Sequence, residues 1–384
     1  MFKSFYMAGF ECATGKNAHA QWIDQIAATE HERFVDTDYA LLAGCDIFTL
    51  REGVRWPLVD RSTGYDFSSL DAFVAAARRY EMEVLWDLFH FGYPDRFDPF
   101  SANFPAEFAR YCGAVARHVC RELPGPYYFT PVNEGSYFAH AAGEIGCFAP
   151  HARGRGHELK VCLARAALAG VRAIREACPA ARFVSVDPIC HVVEPFGADG
   201  AFGRRVREFN HEVVFQFMDI LAGRLMPELG GSRDCLDIVG VNYYWTNQWE
   251  LGDEQRPLAL CDPRRLPVSA LVRRVARRYG GSVLLSETGQ KDEARSRWID
   301  ELSSSSIELL ADGYRFEGVC LYPVLGMSEW HDRERWTRMG LWDLLPAAKG
   351  LERVPHWPAL DALARAQRGL ERYRAASVSM ASTG

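Results

Sequence analysis

Apolar runs and amphipathic stretches alternate along this chain from one end to the other. Residues 5–10 read as a short strand, and residues 32–42 have helical spacing and stop at Gly44. A strand-like run at 47–56 leads to a helix at 68–80, for which Ser68 or Ser69 is the expected N-cap. The rhythm continues with strands at 83–89 and 127–132, and with helices at 105–121 and 157–177. Pro124 and Pro179 end those two helices. In the second half, strands are expected at 182–186, 236–244, 282–286 and 316–324, and helices at 203–222, 268–279, 293–311 and 359–373. Apolar strands that are each followed by a helix predict a parallel sheet covered by helices. Eight such units predict an α/β fold, a single (β/α)8 TIM barrel. A doubly wound open sheet would place a Gly-rich phosphate turn after the first strand, and Gly9-Phe10-Glu11-Cys12 is not one. The barrel is expected to span residues 1–375, with 376–384 as a frayed, small and polar tail. The irregular segments 143–156, 245–267 and 326–358 all follow strands, so they are expected as extended βα loops on the C-terminal face.

Composition narrows the function classes. The 384 residues are 48% hydrophobic, enough for one large core or two ordinary domains. The formal charge of −6 predicts neither a nucleic-acid nor an anionic-membrane partner. No apolar run approaches a membrane span, and the N-terminus lacks a signal-peptide pattern. The 11 cysteines are scattered, without a Cys-x-x-Cys pair, as expected for reduced thiols in a cytoplasmic protein. His157-Glu158 and His211-Glu212 lack the second His of a zinc helix, and Gly154-Arg155-Gly156 does not follow a strand. No metal and no cofactor are expected, and the oligomeric state stays open. Arg273-Arg274 and Arg277-Arg278 are expected to form a solvated helix face.

Two of the apolar runs end on a glutamate, Glu134 after the fourth strand and Glu287 after the seventh. A carboxylate at a buried strand end is costly unless it has a partner or a task. Strand ends on one barrel face converge on the same mouth, so the two carboxyls can meet there. Glycosidic cleavage needs one protonated and one ionised carboxyl, and retention predicts that they stand about 5–5.5 Å apart. Other polar and aromatic residues near strand ends have plainer readings. Trp330 and Tyr322 could pack the mouth, His90 could be a satisfied core histidine, and Arg51 could pair with Glu52 or Asp46.

At this point the chain resembles the family 1 β-glycosidases, as a short and divergent relative. Thr130-Pro131-Val132-Asn133-Glu134 is similar to that family's Thr-Phe-Asn-Glu-Pro segment, and Ser286-Glu287-Thr288-Gly289 to its Thr-Glu-Asn-Gly segment. Asp237-Ile238-Val239-Gly240-Val241-Asn242-Tyr243-Tyr244 resembles its Asp-Phe-Ile-Gly-Ile-Asn-Tyr-Tyr strand. Tyr322 through Trp330 keeps the spacing of its Trp-Ser-Leu-Leu-Asp-Asn-Phe-Glu-Trp segment, and Arg51 stands before Trp56 as in its Tyr-Arg-Phe-Ser-Ile-Ser-Trp strand. The likeness runs from about residue 5 to about residue 345. It implies Glu134 as general acid/base and Glu287 as nucleophile. It further implies that Asn133 holds the sugar 2-hydroxyl and that Arg51 and Tyr244 bond Glu287. His90 and Glu329, with Trp330 beside them, would bind the sugar at its non-reducing end.

The departures from the family pattern bear on the substrate. Glu11 stands near the place of a sugar-binding Gln, so it would suit another hydroxyl pattern or a cationic group. Thr288 replaces Asn, Gly135 replaces Pro, and Tyr322 replaces Trp. The implied function is a retaining β-glycosidase that hydrolyses a small-molecule glycoside or oligosaccharide through a covalent glycosyl-enzyme. A transglycosidase using a non-water acceptor shares the same first step. A catalytically idle carbohydrate-binding barrel is the alternative of another class.

Overall fold

The computed structural model describes residues 2–198 and 200–381. Eight parallel strands close into a barrel: β1 (Tyr6–Gly9), β2 (Thr49–Gly53), β3 (Glu83–Asp87), β4 (Tyr127–Thr130), β5 (Ala181–Pro188), β6 (Ile238–Asn242), β7 (Ser282–Thr288) and β8 (Phe316–Leu321). Each strand pairs with its sequence neighbours, and β1 closes the ring against β8 with Met7 opposite Cys320. The expected (β/α)8 barrel is the fold observed.

Side chains alternate between two cores. Met7, Leu85, Tyr128, Val184, Val186, Ile238, Leu284 and Cys320 point inward and fill the barrel together with Phe2 and Tyr322. Their outward neighbours, among them Leu50, Trp86, Phe129, Val239, Leu285 and Val319, pack beneath the helices. This period of two explains why the strands read as continuous apolar runs, since both faces are buried.

The covering helices follow the same logic at a period near 3.6. The helix Val268–Tyr279 buries Val268, Leu271, Val272, Val275 and Tyr279, one face at i, i+3, i+4 and i+7. Pro267 precedes it and Gly280, at φ 67°, stops it. The basic residues of this helix are latched rather than merely solvated. Arg273 pairs with Glu308 and Asp312, and Arg278 pairs with Asp219 and Glu212.

Four expectations are corrected. The single helix expected at 203–222 breaks into Gly200–His211 and Gln216–Leu221, joined by the 3-10 turn Val213–Phe215. In the last turn of Gly200–His211, the Asn210 amide bonds both backbone groups of Val192, at 2.8 and 3.0 Å, and the Asn210 and His211 carbonyls accept from Arg274 and Arg278. The helix Ser68–Arg79 is preceded by Phe67, and the Asp66 carboxylate, not a serine, accepts from the Ser68 N–H at 3.0 Å. The loop at 326–358 contains the short pair Met327–Ser328 with Trp336–Thr337 and the hairpin Trp342–Ala347 with Gly350–Pro355. The closing helix runs from Trp357 to Ala381, so it extends through most of the expected tail. Residues 382–384 lie outside the described residues. No helix among the described residues is long and apolar enough to cross a membrane.

Candidate active site

Glu287 reaches the mouth through a β-bulge. On β7, Leu284 points inward and Leu285 outward. Strict alternation would then turn Ser286 in and Glu287 out. The register slips at this point: Val241 faces Leu285, but Asn242 faces Glu287. The extra residue carries Glu287 inward, as bulges beside functional sites do. Ser286 is tied down by a bond from its hydroxyl to Asn242 Oδ1 at 2.7 Å.

Glu134 is aimed by a different device. Its backbone is left-handed, at φ 51° and ψ 51°, and opens directly into the short helix Gly135–Phe138. That geometry is unfavourable for a residue with a Cβ, and neighbouring bonds hold it. The Glu134 N–H donates to Val186 O at 3.1 Å, and its carbonyl accepts from the Phe138 N–H at 2.9 Å. Gly135 is required next, because a Cβ there would lie 2.3 Å from the Phe217 ring. The replacement of Pro by Gly at 135 thus has a packing cause. Thr288 also has one, since its Oγ1 accepts from Trp298 Nε1 at 2.9 Å.

Arg51 joins the set. It is fully buried, and its Nη1 donates to Glu287 Oε1 at 2.9 Å and to Ser286 O at 2.7 Å. Its Nη2 donates to Asp87 Oδ2 at 2.5 Å and to Asn133 Oδ1 at 3.2 Å. Arg51 therefore pairs with neither Glu52 nor Asp46. Burial opposes its charge, but Asp87 and Glu287 outweigh burial and hold the guanidinium protonated. Tyr244 Oη donates to Glu287 Oε2 at 2.9 Å, so both oxygens of that carboxylate accept from the protein. Burial, followed by the Glu287 charge, pushes the Tyr244 phenol well up, which keeps it a donor.

Glu134 stands in a contrasting environment. Burial first, then the charge of Glu287, pushes its carboxyl up to about 8. The Asn242 amide, which donates to Glu134 Oε1 at 3.0 Å, works against that rise. One mouth therefore holds a carboxyl that keeps its proton at neutral pH and another that accepts hydrogen bonds from an arginine and a tyrosine. Such a pair can supply both an acid and a nucleophile.

The remaining candidates surround these two. Asn133 Nδ2 lies 3.3 Å from His90 Nδ1, and His90 Nδ1 lies 3.5 Å from Asp87 Oδ2. Tyr322 stacks parallel to His90 with ring centres 6.0 Å apart, and the Arg51 guanidinium lies 5.3 Å from the Tyr322 ring centre. Gly9 makes room for it, as a Cβ there would fall 2.2 Å from the tyrosine ring. Glu11 Oε1 accepts from Trp330 Nε1 and from the Ala13 N–H, each at 3.1 Å. Trp330 continues an aromatic wall with Phe91 and Phe148, at 5.6 and 5.7 Å. Glu329, next to Trp330 and half-buried, accepts from the Thr337 hydroxyl through Oε1, and no hydrogen bond joins it to another candidate among the described residues.

Sequence reasoning missed four participants: Asp87, Asn242, Asp187 and Cys12. Asp87 and Asp187 are charged residues within apolar strands, the same signal that identified the glutamates. Asp187 Oδ1 accepts the Ser136 N–H at 2.9 Å, inside the turn that carries Glu134. Cys12, Asp87 and His90 offer ligand atoms within 4.8 Å of one another. Asp87 Oδ2 is paired with Arg51, and its buried Oδ1 has no hydrogen-bond partner.

No protein-family model and no curated protein matches the chain. Solved structures do. A family 1 β-glucosidase from Thermotoga maritima superposes with a TM-score of 0.75 at 13% identity, covering 95% of this chain and 97% of that one. A family 1 β-glucosidase from Thermotoga maritima in complex with isofagomine lactam gives 0.77 at 13%, covering 96% and 98%. A β-glucosidase from that organism in complex with deoxynojirimycin gives 0.75 at 13%, covering 96% and 99%. The chain has the fold of these β-glucosidases over nearly its whole length.

Proposed function

We propose that this protein is a retaining β-glycosidase that cleaves a β-linked small-molecule glycoside by double displacement. The observation that carries this reading is the opposed treatment of two carboxyls in one mouth. Glu287 is held at both oxygens by Arg51 and Tyr244, whereas Glu134 is pushed up to about 8 by burial and by the Glu287 charge. In the first step Glu287 attacks the anomeric carbon while Glu134 gives its proton to the departing glycosidic oxygen. The Glu134 carboxylate left behind then takes a proton from water. That water attacks the anomeric carbon, expels Glu287 and releases the sugar with its configuration retained. Asn133 is positioned to hold the 2-hydroxyl, since the same arginine bonds both it and Glu287. His90, Tyr322 and Trp330 form the floor and wall of the sugar subsite.

The test uses aryl β-glycosides with Glu134→Gln and Glu287→Gln. Both variants should lose turnover, and 2-deoxy-2-fluoro glycosides should label Glu287. Unchanged turnover in both variants, or labelling of another residue, would overturn the assignment.

A further inference from the structure

Glu11 is the acid in the mouth that the double displacement leaves without a task. It is 5% exposed and rises from the loop after β1 toward Trp330. Two neutral donors, Trp330 Nε1 and the Ala13 N–H, hold its Oε1. No lysine or arginine among the described residues forms an ion pair with it. Arg51 is shared by Asp87 and Glu287, and Lys16 pairs with Asp95. Burial drives the Glu11 carboxyl up, the Glu287 charge adds to this, and His90 opposes it. His90 is itself engaged with Asp87 at 3.5 Å. That rise favours the protonated acid in an empty mouth, and ionisation would set Glu11, Asp87 and Glu287 against Arg51 and His90, so the carboxylate form calls for one further cation. A buried carboxylate costs several kcal/mol unless a cation meets it. Neutral hydroxyls would be served as well by an amide, without that cost.

The order of contacts locates the surplus charge relative to a bound pyranose. Glu287 addresses the anomeric carbon, Asn133 stands beside it, and His90 lies against Asn133. Glu11 follows, close enough to feel the His90 charge and bonded to Trp330 on its far side. The next ring positions after the 2-hydroxyl are C3 and C4. We infer, resting on the glycosidase reading, that the glycone is an amino sugar whose ammonium at C3 or C4 pairs with the Glu11 carboxylate.

The test compares 4-nitrophenyl β-glycosides of glucose, 3-amino-3-deoxyglucose and 4-amino-4-deoxyglucose on the full chain at pH 7. Calorimetric binding of the corresponding methyl β-glycosides is measured alongside. One amino glycoside should exceed glucose in kcat/KM by about ten- to a hundredfold, the factor of one charge-assisted hydrogen bond. Glu11→Gln should erase that preference, bringing kcat/KM for the amino glycoside down to or below that for the glucoside. The wild-type comparison stands even if that variant does not fold. Glucose turned over as well as or better than both amino sugars would overturn the proposal and leave the glycosidase reading intact. Amino-sugar binding without hydrolysis of any glycoside would support the ion pair and sink the glycosidase reading. Binding of neither amino sugar, or an equal loss on all substrates in Glu11→Gln, would also overturn the proposal.

Discussion

Asp187→Asn isolates the electrostatics around the proposed acid. Asp187 Oδ1 accepts the Ser136 N–H at 2.9 Å, and its buried Oδ2 has no hydrogen-bond partner. Burial pushes this carboxyl up to about 7, and the Ser136 bonds only partly offset it. An acid raised in the folded state imposes no penalty at a pH below its unfolded value. The penalty then grows as pH climbs from that value toward the folded one, and levels off above it. Lifting the group from 3.8 to about 7 bounds the penalty at about 4 kcal/mol. Asparagine keeps the acceptor for Ser136 and cannot ionise, so it mimics the protonated acid. The two proteins should melt alike near pH 4, and the variant should be the more stable at pH 8.5. With about 2 cal/mol/K of unfolding entropy per residue over 384 residues, the gain is at most roughly 5 °C. A second readout is kinetic. The Asp187 charge helps hold Glu134 up, so the alkaline limb of kcat/KM, expected near about 8, should move to lower pH in the variant. A melting difference that stays flat with pH, or an alkaline limb that does not move, would refute the reasoning.

Three further outcomes are expected. Tyr244→Phe removes the donor 2.9 Å from Glu287 Oε2 and should lower kcat/KM by about ten- to a hundredfold; unchanged turnover of aryl glycosides would show that Arg51 alone holds the carboxylate. Gly135→Ala would place a Cβ 2.3 Å from the Phe217 ring, so chemical denaturation should report a loss of about 1–3 kcal/mol. Activity should fall with it, because Glu134 is the adjacent residue. His31, bonded to Asp38 at 2.6 Å and Glu52 at 2.7 Å, is opposed by burial yet raised to about 9 by the two carboxylates. Its contribution is complete below pH 6.5 and is lost as pH rises through about 9. Melting temperatures should therefore decline across that window, and an imidazole resonance titrating near 6.5 would contradict the network.

The barrel was legible because its strands are buried on both faces and its helices on one. Those two periodicities survive even where residue identities have drifted far. The paired glutamates were legible because charge at the end of an apolar run is rare. The means of aiming them were not. Nothing in Leu284-Leu285-Ser286-Glu287 announces a slipped register, which exists only in the pairing with β6. The left-handed backbone of Glu134 is likewise a property of its surroundings, including the Phe217 ring that excludes a Cβ at 135. The break after His211 depends likewise on distant partners: the carbonyls of Asn210 and His211 accept from Arg274 and Arg278, far along the chain.

Tyr322 is both part of the floor of the proposed sugar subsite and a member of the inner core that plugs the barrel. It lies against Gly9, under Arg51 and beside Cys12, all within the closed strand ring or its immediate edge. Divergence of this molecule toward new substrates is therefore directional. Changes at the floor must pass through a structure that also keeps the barrel shut, so most of them are lost with the fold. Glu11 and Trp330 sit on loops beyond that ring, so a change there does not touch the strand pairing. A selection experiment for altered substrate preference should accumulate its substitutions on that outer wall and leave Gly9, Arg51 and Tyr322 untouched.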